Sequence, residues 1–210
     1  MLWGIKRLGL RPGASTGRRI TFAGVLTTAE TGRKLKFVMQ REYFRLYQEM
    51  IRCIAAQRAR QHLSQERLAL CAGLHRNTVR LLESGQVDAT FTCVSRLMAV
   101  LGGLCMCFSS RSVEAEFSPD PEELLDTIFA NYGRADWWWM VSNAGRTVAE
   151  RRRLVGLSQE KLAQRAGISL NTVGRFERGE VDPSSSTIMA IYRTLEIERI
   201  EVKDGRFSFY

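Results

Sequence analysis

Residues 63–88 read LSQERLALCAGLHRNTVRLLESGQVD, and residues 157–182 read LSQEKLAQRAGISLNTVGRFERGEVD. The two segments lie 94 positions apart and agree at 15 of 26 positions, where composition alone would give about two agreements. An internal repeat constrains the whole chain, because both copies are expected to adopt the same local structure. We therefore predict one structural unit that occurs twice.

Each copy has the pattern of two short helices joined by a tight turn. In the second copy Ser158 follows apolar Leu157 and precedes an amphipathic run, so Ser158 is predicted to cap a helix. That helix is predicted to end at Gly167, since glycine adopts the left-handed backbone of a sharp turn. Ser169 is then predicted to cap a second short helix that ends at Gly179. The equivalent positions in the first copy are Ser64, Gly73, His75 and Gly85.

These copies resemble the helix-turn-helix of the Cro/phage-repressor type, also called the XRE family. The resemblance rests on the Ser-Gln-Glu start, the alanine and glycine spacing, the Glu-x-Gly end and, in the second copy, Pro183. It covers roughly residues 45–102 and 145–196. It implies a mainly α fold with small β elements, with two five-helix Cro/repressor-like domains in tandem and a short strand after each. In that family the second and third helices form the unit that reads DNA.

The resemblance also implies which residues are important. An arginine of the first helix pairs with a glutamate of the reading helix, which here gives Arg58 with Glu83 and Arg152 with Glu177. The implied contacts to the DNA backbone are Gln65, Thr78, Gln159, Ser169 and Thr172. The implied base readers are His75, Arg76 and Asn77 in the first copy and Leu170, Asn171 and Arg175 in the second.

The residue types at these positions suit base reading. Arginine can make two hydrogen bonds to guanine, and asparagine can make two to adenine. The alternative is that these polar side chains are only the solvated face of a short helix. For His75 the alternative is that it caps the helix instead of contacting DNA.

The first copy departs from the family pattern more than the second. Ala89 stands in place of the proline, His75 in place of the capping serine, and Leu81 in place of a polar reader in the second turn. Three roles for the first copy therefore stay open. It reads bases, it anchors to phosphates only, or it serves as the partner against which the second copy packs.

Charge is distributed unevenly. The chain of 210 residues holds 31 Lys and Arg against 22 Asp and Glu, a net charge of +9, as expected for a phosphate-binding protein. Residues 1–41 alone carry a net +8, whereas residues 111–150 carry −5. We predict four parts: a basic segment at 1–41, a first helix-turn-helix domain with its strand at 42–110, an acidic helical connector at 111–135, and a second domain with C-terminal strands at 136–210.

The amino-terminal segment has two interpretations. Residues 18–22 and 34–38 have the pattern of two short strands, which predicts a β-hairpin. Lys6, Arg7 and Arg11 with nearby glycines suggest a basic arm, which would lie in a minor groove or remain solvated. Since no apolar stretch approaches the length of a signal peptide core or a membrane span, we expect no membrane contact and a cytoplasmic, nucleoid-associated protein.

The sequence offers little for catalysis or metal binding. Its five cysteines form no Cys-x-x-Cys pair, and only His62 and His75 could join them as ligands. Free buried thiols are therefore predicted rather than a zinc site. Without a Gly-rich phosphate loop or a Ser/His/Asp set, we expect neither an enzyme nor a cofactor.

Each copy is followed by a predicted strand. Leu104, Met106 and Phe108 alternate after the first copy, and Ile200 and Val202 occupy the equivalent places after the second. Residues 206–209 are predicted to complete a hairpin after an Asp-Gly turn. We expect these strands to pair near the axis of a pseudo-dimer. Its two reading helices would then lie about one DNA turn (~34 Å) apart over two unlike half-sites.

Three consecutive tryptophans follow the connector, namely Trp137, Trp138 and Trp139. On a helix they spread too widely for all three to face one core. Either one of them contacts a protein partner, such as RNA polymerase or a regulator, or their helix packs between the repeats. Three functions remain open: a transcription regulator of double-stranded DNA that could also form a further homodimer, an antitoxin-like or phage/mobile-element control protein, and an interaction module that docks on RNA polymerase.

Overall fold

A computed structural model describes residues 28–109, 112–132, 137–203 and 206–210. The fold is mainly helical with one small antiparallel sheet, as predicted. The elements of the first half are α1 (Thr28–Arg60), α2 (Gln65–Cys71), α3 (Arg76–Glu83), α4 (Phe91–Val100), β1 (Gly103–Phe108) and β2 (Val113–Phe117). After α5 (Pro121–Tyr132), the second half holds α6 (Trp138–Leu154), α7 (Gln159–Ala166), α8 (Leu170–Glu177), α9 (Ser185–Thr194), β3 (Arg199–Lys203) and β4 (Arg206–Phe209).

The two halves place the same elements in the same order, with α1 equivalent to α6 and β2 equivalent to β4. The expectation of five helices in each copy is wrong for the described residues, because four helices precede the first strand in each half. The physical reason lies after α4 and α9. Gly102 and Glu196 adopt positive φ and turn the chain out of the helix, and the alternating apolar pattern that follows favours a strand.

The sheet joins the halves in the strand order β2-β1-β3-β4. At its centre β1 pairs antiparallel with β3, and Met106 lies opposite Ile200. These two residues occupy equivalent positions of the repeat, 94 apart. Pairing of equivalent residues in antiparallel strands is the register that a two-fold axis produces. A pseudo-two-fold axis therefore passes between Met106 and Ile200, and the expected pairing of these strands is confirmed.

A second set of contacts obeys the same symmetry, at the starts of α4 and α9. The Phe91 N–H donates to the Pro183 carbonyl at 2.8 Å, and the equivalent Ser185 N–H donates to the Ala89 carbonyl at 2.7 Å. Thr90 and Ser184, again equivalent, form an isolated bridge between these two bonds.

Aspartates of the two loops extend this arrangement. The Thr92 N–H donates to Asp182 Oδ1 at 3.0 Å, and the Ser186 N–H donates to Asp88 Oδ1 at 3.1 Å. Each half thus supplies a hydrogen-bond acceptor to the start of the equivalent helix of the other half, α4 or α9. Because these backbone hydrogen bonds have symmetric counterparts, the starts of α4 and α9 associate as they would in a symmetric dimer.

One hydrophobic core runs through both halves. Helix α1 contributes Tyr47 and Ile54, and α9 packs against α1 with Tyr192 and Ile191. The Tyr47 hydroxyl donates to the Val87 carbonyl at 2.9 Å and accepts from the Ala89 N–H at 3.2 Å. These bonds tie α1 to the loop that crosses the pseudo-two-fold axis.

The amino-terminal prediction is corrected in part. Residues 34–38 are helical and belong to α1, so the second strand of the expected hairpin is wrong. Lysine, leucine, methionine, glutamine and arginine dominate residues 34–41, and extending an existing helix through them costs less than starting a strand. The predicted boundary between residues 41 and 42 falls inside α1. The first expected strand, residues 18–22, and the arm residues Lys6, Arg7 and Arg11 lie outside the described residues.

The connector and the cysteines also differ in part from the prediction. Strand β2 was not expected, although the sequence Val-Glu-Ala-Glu-Phe at residues 113–117 has the alternation of a strand. The β3–β4 hairpin is present as predicted, while its Asp-Gly turn lies outside the described residues. The cysteines are free, but the expectation that all are buried is wrong, since Cys71 is exposed. It lies on the outer face of the short helix α2.

Candidate nucleic-acid interface

The α2–α3 and α7–α8 units are built by matching caps. Ser64 and Ser158 accept from the backbone N–H three residues later, at 3.0 and 3.1 Å, and so begin α2 and α7. Gly73 and Gly167 adopt φ of +63° and +68° in the turns that follow, where a residue with a Cβ would be strained. In each copy two short helices are therefore joined by a turn that contains a glycine at positive φ.

The second helix of each unit is capped differently in the two copies. Ser169 Oγ accepts from the Thr172 N–H at 3.0 Å and lies 2.7 Å from Thr172 Oγ1. His75 Nδ1 accepts from the Asn77 N–H at 3.2 Å. The structure thus places His75 in the capping role that was its alternative, with its ring exposed at the start of α3.

A buried ion pair fixes α8 to α6. Arg152 Nε donates to Glu177 Oε1 at 2.6 Å, and Arg152 Nη2 donates to Glu177 Oε2 at 2.8 Å. Arg152 Nη1 also donates to the Leu157 carbonyl at 2.8 Å. The hydrogen bonds to Glu177 raise the pKa of Arg152, so the guanidinium stays charged. A bidentate pair of this kind sets the direction of α8 rather than adding much net stability.

The first copy has the same pair in a more solvated form. Arg58 Nε and Nη2 donate to the two carboxylate oxygens of Glu83 at 2.7 and 2.9 Å, and Nη1 donates to the Leu63 carbonyl at 2.7 Å. The exposed fractions of the two side chains are 18% and 11%, against 10% and 4% for Arg152 and Glu177. The geometry is the same, but water reaches the pair more easily.

The two glutamines lie at the starts of α2 and α7, as the resemblance implied, and each also bonds within the protein. Gln65 Nε2 donates to Glu83 Oε2 at 2.6 Å, and Gln159 Nε2 donates to Glu177 Oε2 at 2.7 Å. Both side chains are therefore the third member of the Arg–Glu cluster. Each is only half-buried at the first residue of its helix, and a contact with a phosphate would engage the amide from its outer side.

Most side chains expected to read bases are exposed, at the start of α3 in one copy and of α8 in the other. Arg76 and Asn77 are exposed in the first turn of α3, and Leu170 and Asn171 are exposed in the first turn of α8. Thr78 and Thr172 are half-buried beside them. Since Val79 and Leu82 on the opposite face of α3 are buried, the polar tip of the helix is the part that remains available to a ligand.

In the second turns each helix carries one exposed arginine, at positions that differ by one residue. In α8 it is Arg175, which lies against Glu180 with its Nε 3.9 Å from Oε2. In α3 it is Arg80, which was not expected, whereas Leu81 is half-buried. The spacing of four residues from Arg76 was the signal that could have identified Arg80, because positions i and i+4 share a helix face.

The tryptophans are tied into the protein. Trp137 is buried and its ring lies 5.5 Å below the Arg96 guanidinium carbon. Trp139 packs against the core. The Trp138 ring is 43% exposed, yet its Nε1 donates to the Gly179 carbonyl at 2.7 Å. Trp138 therefore connects the start of α6 to the end of α8.

Other kinds of site are not formed by the part of the chain that the structure describes. No group of three His, Cys, Asp or Glu side chains there is placed to hold a metal ion. Within the same residues no helix is both long enough and apolar enough to cross a bilayer.

Comparison with known proteins finds a family that matches the second copy. A sequence model of the family described as "Helix-turn-helix" matches residues 148–202, which run from the middle of α6 into β3. An "Uncharacterized HTH-type transcriptional regulator" of Methanothermobacter thermautotrophicus is 39% identical over 54 residues, which cover 26% of this chain and 78% of that protein. No solved structure matches the chain.

Proposed function

The chain belongs to the helix-turn-helix family, and from this premise we propose that it is a transcription regulator that binds double-stranded DNA in a sequence-specific way. The observation that carries the proposal is the exposed polar tip of α8, with Asn171 and Arg175, held in direction by the Arg152–Glu177 pair. An anchored helix with exposed amide and guanidinium groups matches the donors and acceptors of the major groove.

We extend the proposal to both copies, so that one chain forms two tandem helix-turn-helix domains. The support is the symmetric set of contacts about the axis between Met106 and Ile200. A symmetric arrangement would present α3 and α8 to one face of a duplex, at a distance of about one helical turn, ~34 Å. A single chain would then cover an operator without a partner subunit.

The two half-sites of that operator should differ. In α3 the readers are Arg76, Asn77 and Arg80, which favour guanine and adenine. In α8 the first turn offers Leu170 and Asn171, so an apolar contact to a thymine methyl replaces one of the arginine contacts. Thr78, Thr172, Ser169 and the two glutamines would contact the sugar-phosphate backbone and fix the register.

A double substitution tests the reading role of α8. Asn171→Ala with Arg175→Ala should weaken binding to a selected operator by ~2–5 kcal/mol, because two base contacts are lost. The matched control is Asn143→Ala with Arg146→Ala, which makes the same two replacements on α6. Fluorescence anisotropy with the operator and with random DNA measures both.

Salt dependence separates specific binding from simple attraction to phosphates. The wild-type chain should keep a large preference for its operator when the salt concentration rises, whereas binding to random DNA should fall steeply. The proposal fails if the reader and control variants bind the operator equally well, or if no sequence is preferred at either salt concentration.

A second candidate function is that of an antitoxin-like or phage/mobile-element control protein, which binds DNA and also a protein partner, or of an interaction module that docks on RNA polymerase. The observation that favours it is the exposed ring of Trp138 at the start of α6. Exposed tryptophans are frequent anchors of protein interfaces. In this case Trp138→Ala would abolish capture of purified RNA polymerase, and equal capture by the variant and the wild type would exclude docking through Trp138.

A further inference from the structure

A cavity of about 50 Å³ lies where the two halves meet. Its lining includes Met106 and Ile200, the pair on the pseudo-two-fold axis, together with the equivalent positions Phe91 and Ser185. One ordered water needs roughly 10–15 Å³ of such space. The cavity therefore has room for more than a single water, at a place where the two copies of the repeat contact each other.

The wall of the cavity is apolar and adaptable. Five of the seven methionines of the chain contribute to it. Methionine side chains are unbranched and change shape easily, so a wall rich in them can enlarge toward the roughly 150 Å³ that a benzene-sized ligand needs. The five are Met50, Met98, Met106, Met140 and Met189.

Two residues of α9 in this wall carry hydroxyl groups. Ser185 and Tyr192 line the cavity, and each residue is only 2% exposed. Neither Ser185 Oγ nor Tyr192 Oη has a hydrogen-bond partner among the described residues. Buried hydroxyls nearly always have such a partner. Burial also raises the pKa of Tyr192, so its hydroxyl keeps the proton that it could donate.

We propose that this cavity is a binding site for a small, mainly apolar organic molecule that carries a hydroxyl or carbonyl group. The apolar part contacts the methionines, and the polar group bonds to Ser185 Oγ and Tyr192 Oη. Such a ligand touches both halves of the chain at once. The site goes beyond the proposed DNA-binding function and does not depend on it.

The test uses the full chain, labelled with ¹³C at the methionine methyl groups. Phenol is titrated as the probe with a hydroxyl, and toluene as a probe of similar shape without one. Both should shift the methyl signals of the five lining methionines. Tyr192→Phe should weaken phenol binding about fivefold, the effect of one hydrogen bond, and leave toluene binding unchanged. Tyr210→Phe, which removes an exposed hydroxyl, is the matched control.

A second variant locates the ligand without removing a hydroxyl. Ala99 lines the cavity, and Ala99→Leu should fill it and abolish the shifts caused by either probe. The methyl spectrum of this variant without ligand reports whether it has folded. The proposal is overturned if phenol shifts none of the lining methyl signals, if Tyr192→Phe and Tyr210→Phe bind phenol equally, or if folded Ala99→Leu still binds both probes.

Discussion

Replacing Glu177 by alanine removes the partner of a buried charge. Arg152 would keep its bond to the Leu157 carbonyl but lose both bonds to the carboxylate, with only 10% of its side chain exposed to water. Removing one partner of a buried ion pair lowers the free energy of unfolding by about 3–5 kcal/mol, because the remaining charge is neither solvated nor paired. For a chain of this size each kcal/mol lowers the melting temperature by roughly 2–4 °C. We therefore expect a drop of about 6–20 °C.

The first copy supplies an internal comparison. The Arg58–Glu83 pair has the same geometry but is more exposed, at 18% and 11%. Glu83→Ala should therefore lower the free energy of unfolding less than Glu177→Ala does. Glu150→Ala removes an exposed acid from α6 and controls for the change in net charge. Denaturant unfolding and thermal melting monitored by circular dichroism measure all three variants. If Glu177→Ala and Glu150→Ala have the same melting temperature, the ion pair does not hold α8 in place.

Further predictions concern packing, thiol reactivity and alkaline pH. A Cβ on Gly145 would lie 2.0 Å from the Phe176 carbonyl oxygen, so Gly145→Ala should force α6 and α8 apart and lower unfolding free energy by about 3 kcal/mol. A thiol reagent at pH 8 should modify exposed Cys71 first and buried Cys93 and Cys105 last, because burial raises the pKa of Cys93 to about 11 and that of Cys105 to about 12. Burial likewise raises the pKa of Tyr47 from 10.0 to about 12, and the unfolded chain therefore releases this proton first. The contribution of Tyr47 to stability is complete below pH 10 and is lost as the pH rises from 10 to 12.

Each of these has a control. Gly174→Ala adds a Cβ to helix α8 where the nearest atom is Nη1 of the flexible Arg178 side chain at 3.3 Å, and an equal loss of stability in this variant would show that helix contact is not the cause. Cys71→Ser should remove the fast labelling phase, and persistence of that phase would contradict the assignment. Tyr47→Phe should flatten the alkaline loss of stability, so an unchanged pH profile would assign that loss to another group.

Local chemistry explains how much of the fold could be predicted. Ser64, Ser158 and Gly167 define helix starts and turns through interactions within a few residues, and these appear where the sequence places them. The strand after each copy was equally clear, because alternation of apolar residues is a local pattern. A repeated sequence also predicts that the two halves fold alike, whatever the contacts between them.

Long-range packing explains the differences. The amino-terminal extension of α1 depends on helix propagation from residues downstream of position 42, which overrides the strand pattern at residues 34–38. Gln65 and Gln159 bond to glutamates 18 positions away, a contact that exists only once the helices have crossed. The reciprocal bonds from Thr92 to Asp182 and from Ser186 to Asp88 likewise require the folded pair of halves.

Site residues whose position depends on local sequence could be predicted, and those that depend on the folded helix could not. Arg76 and Asn171 could be placed at the exposed tips of their helices because the caps fix where each helix begins. Arg80 was missed because the alignment of the copies puts Gly174 at its position, so a comparison of repeats gives no signal there. The face shared with Arg76 identifies it once the helix is seen.

The central claim is that one chain uses α3 and α8 to read two unlike half-sites, and selection of DNA from a random pool by three proteins tests it directly. The proteins are the wild type, Arg76→Ala with Asn77→Ala, and Asn171→Ala with Arg175→Ala. Each double variant should lose base preference in a different half of one operator, with the halves centred about one helical turn apart. Loss of preference at the same positions in both variants, or in only one of them, would contradict it.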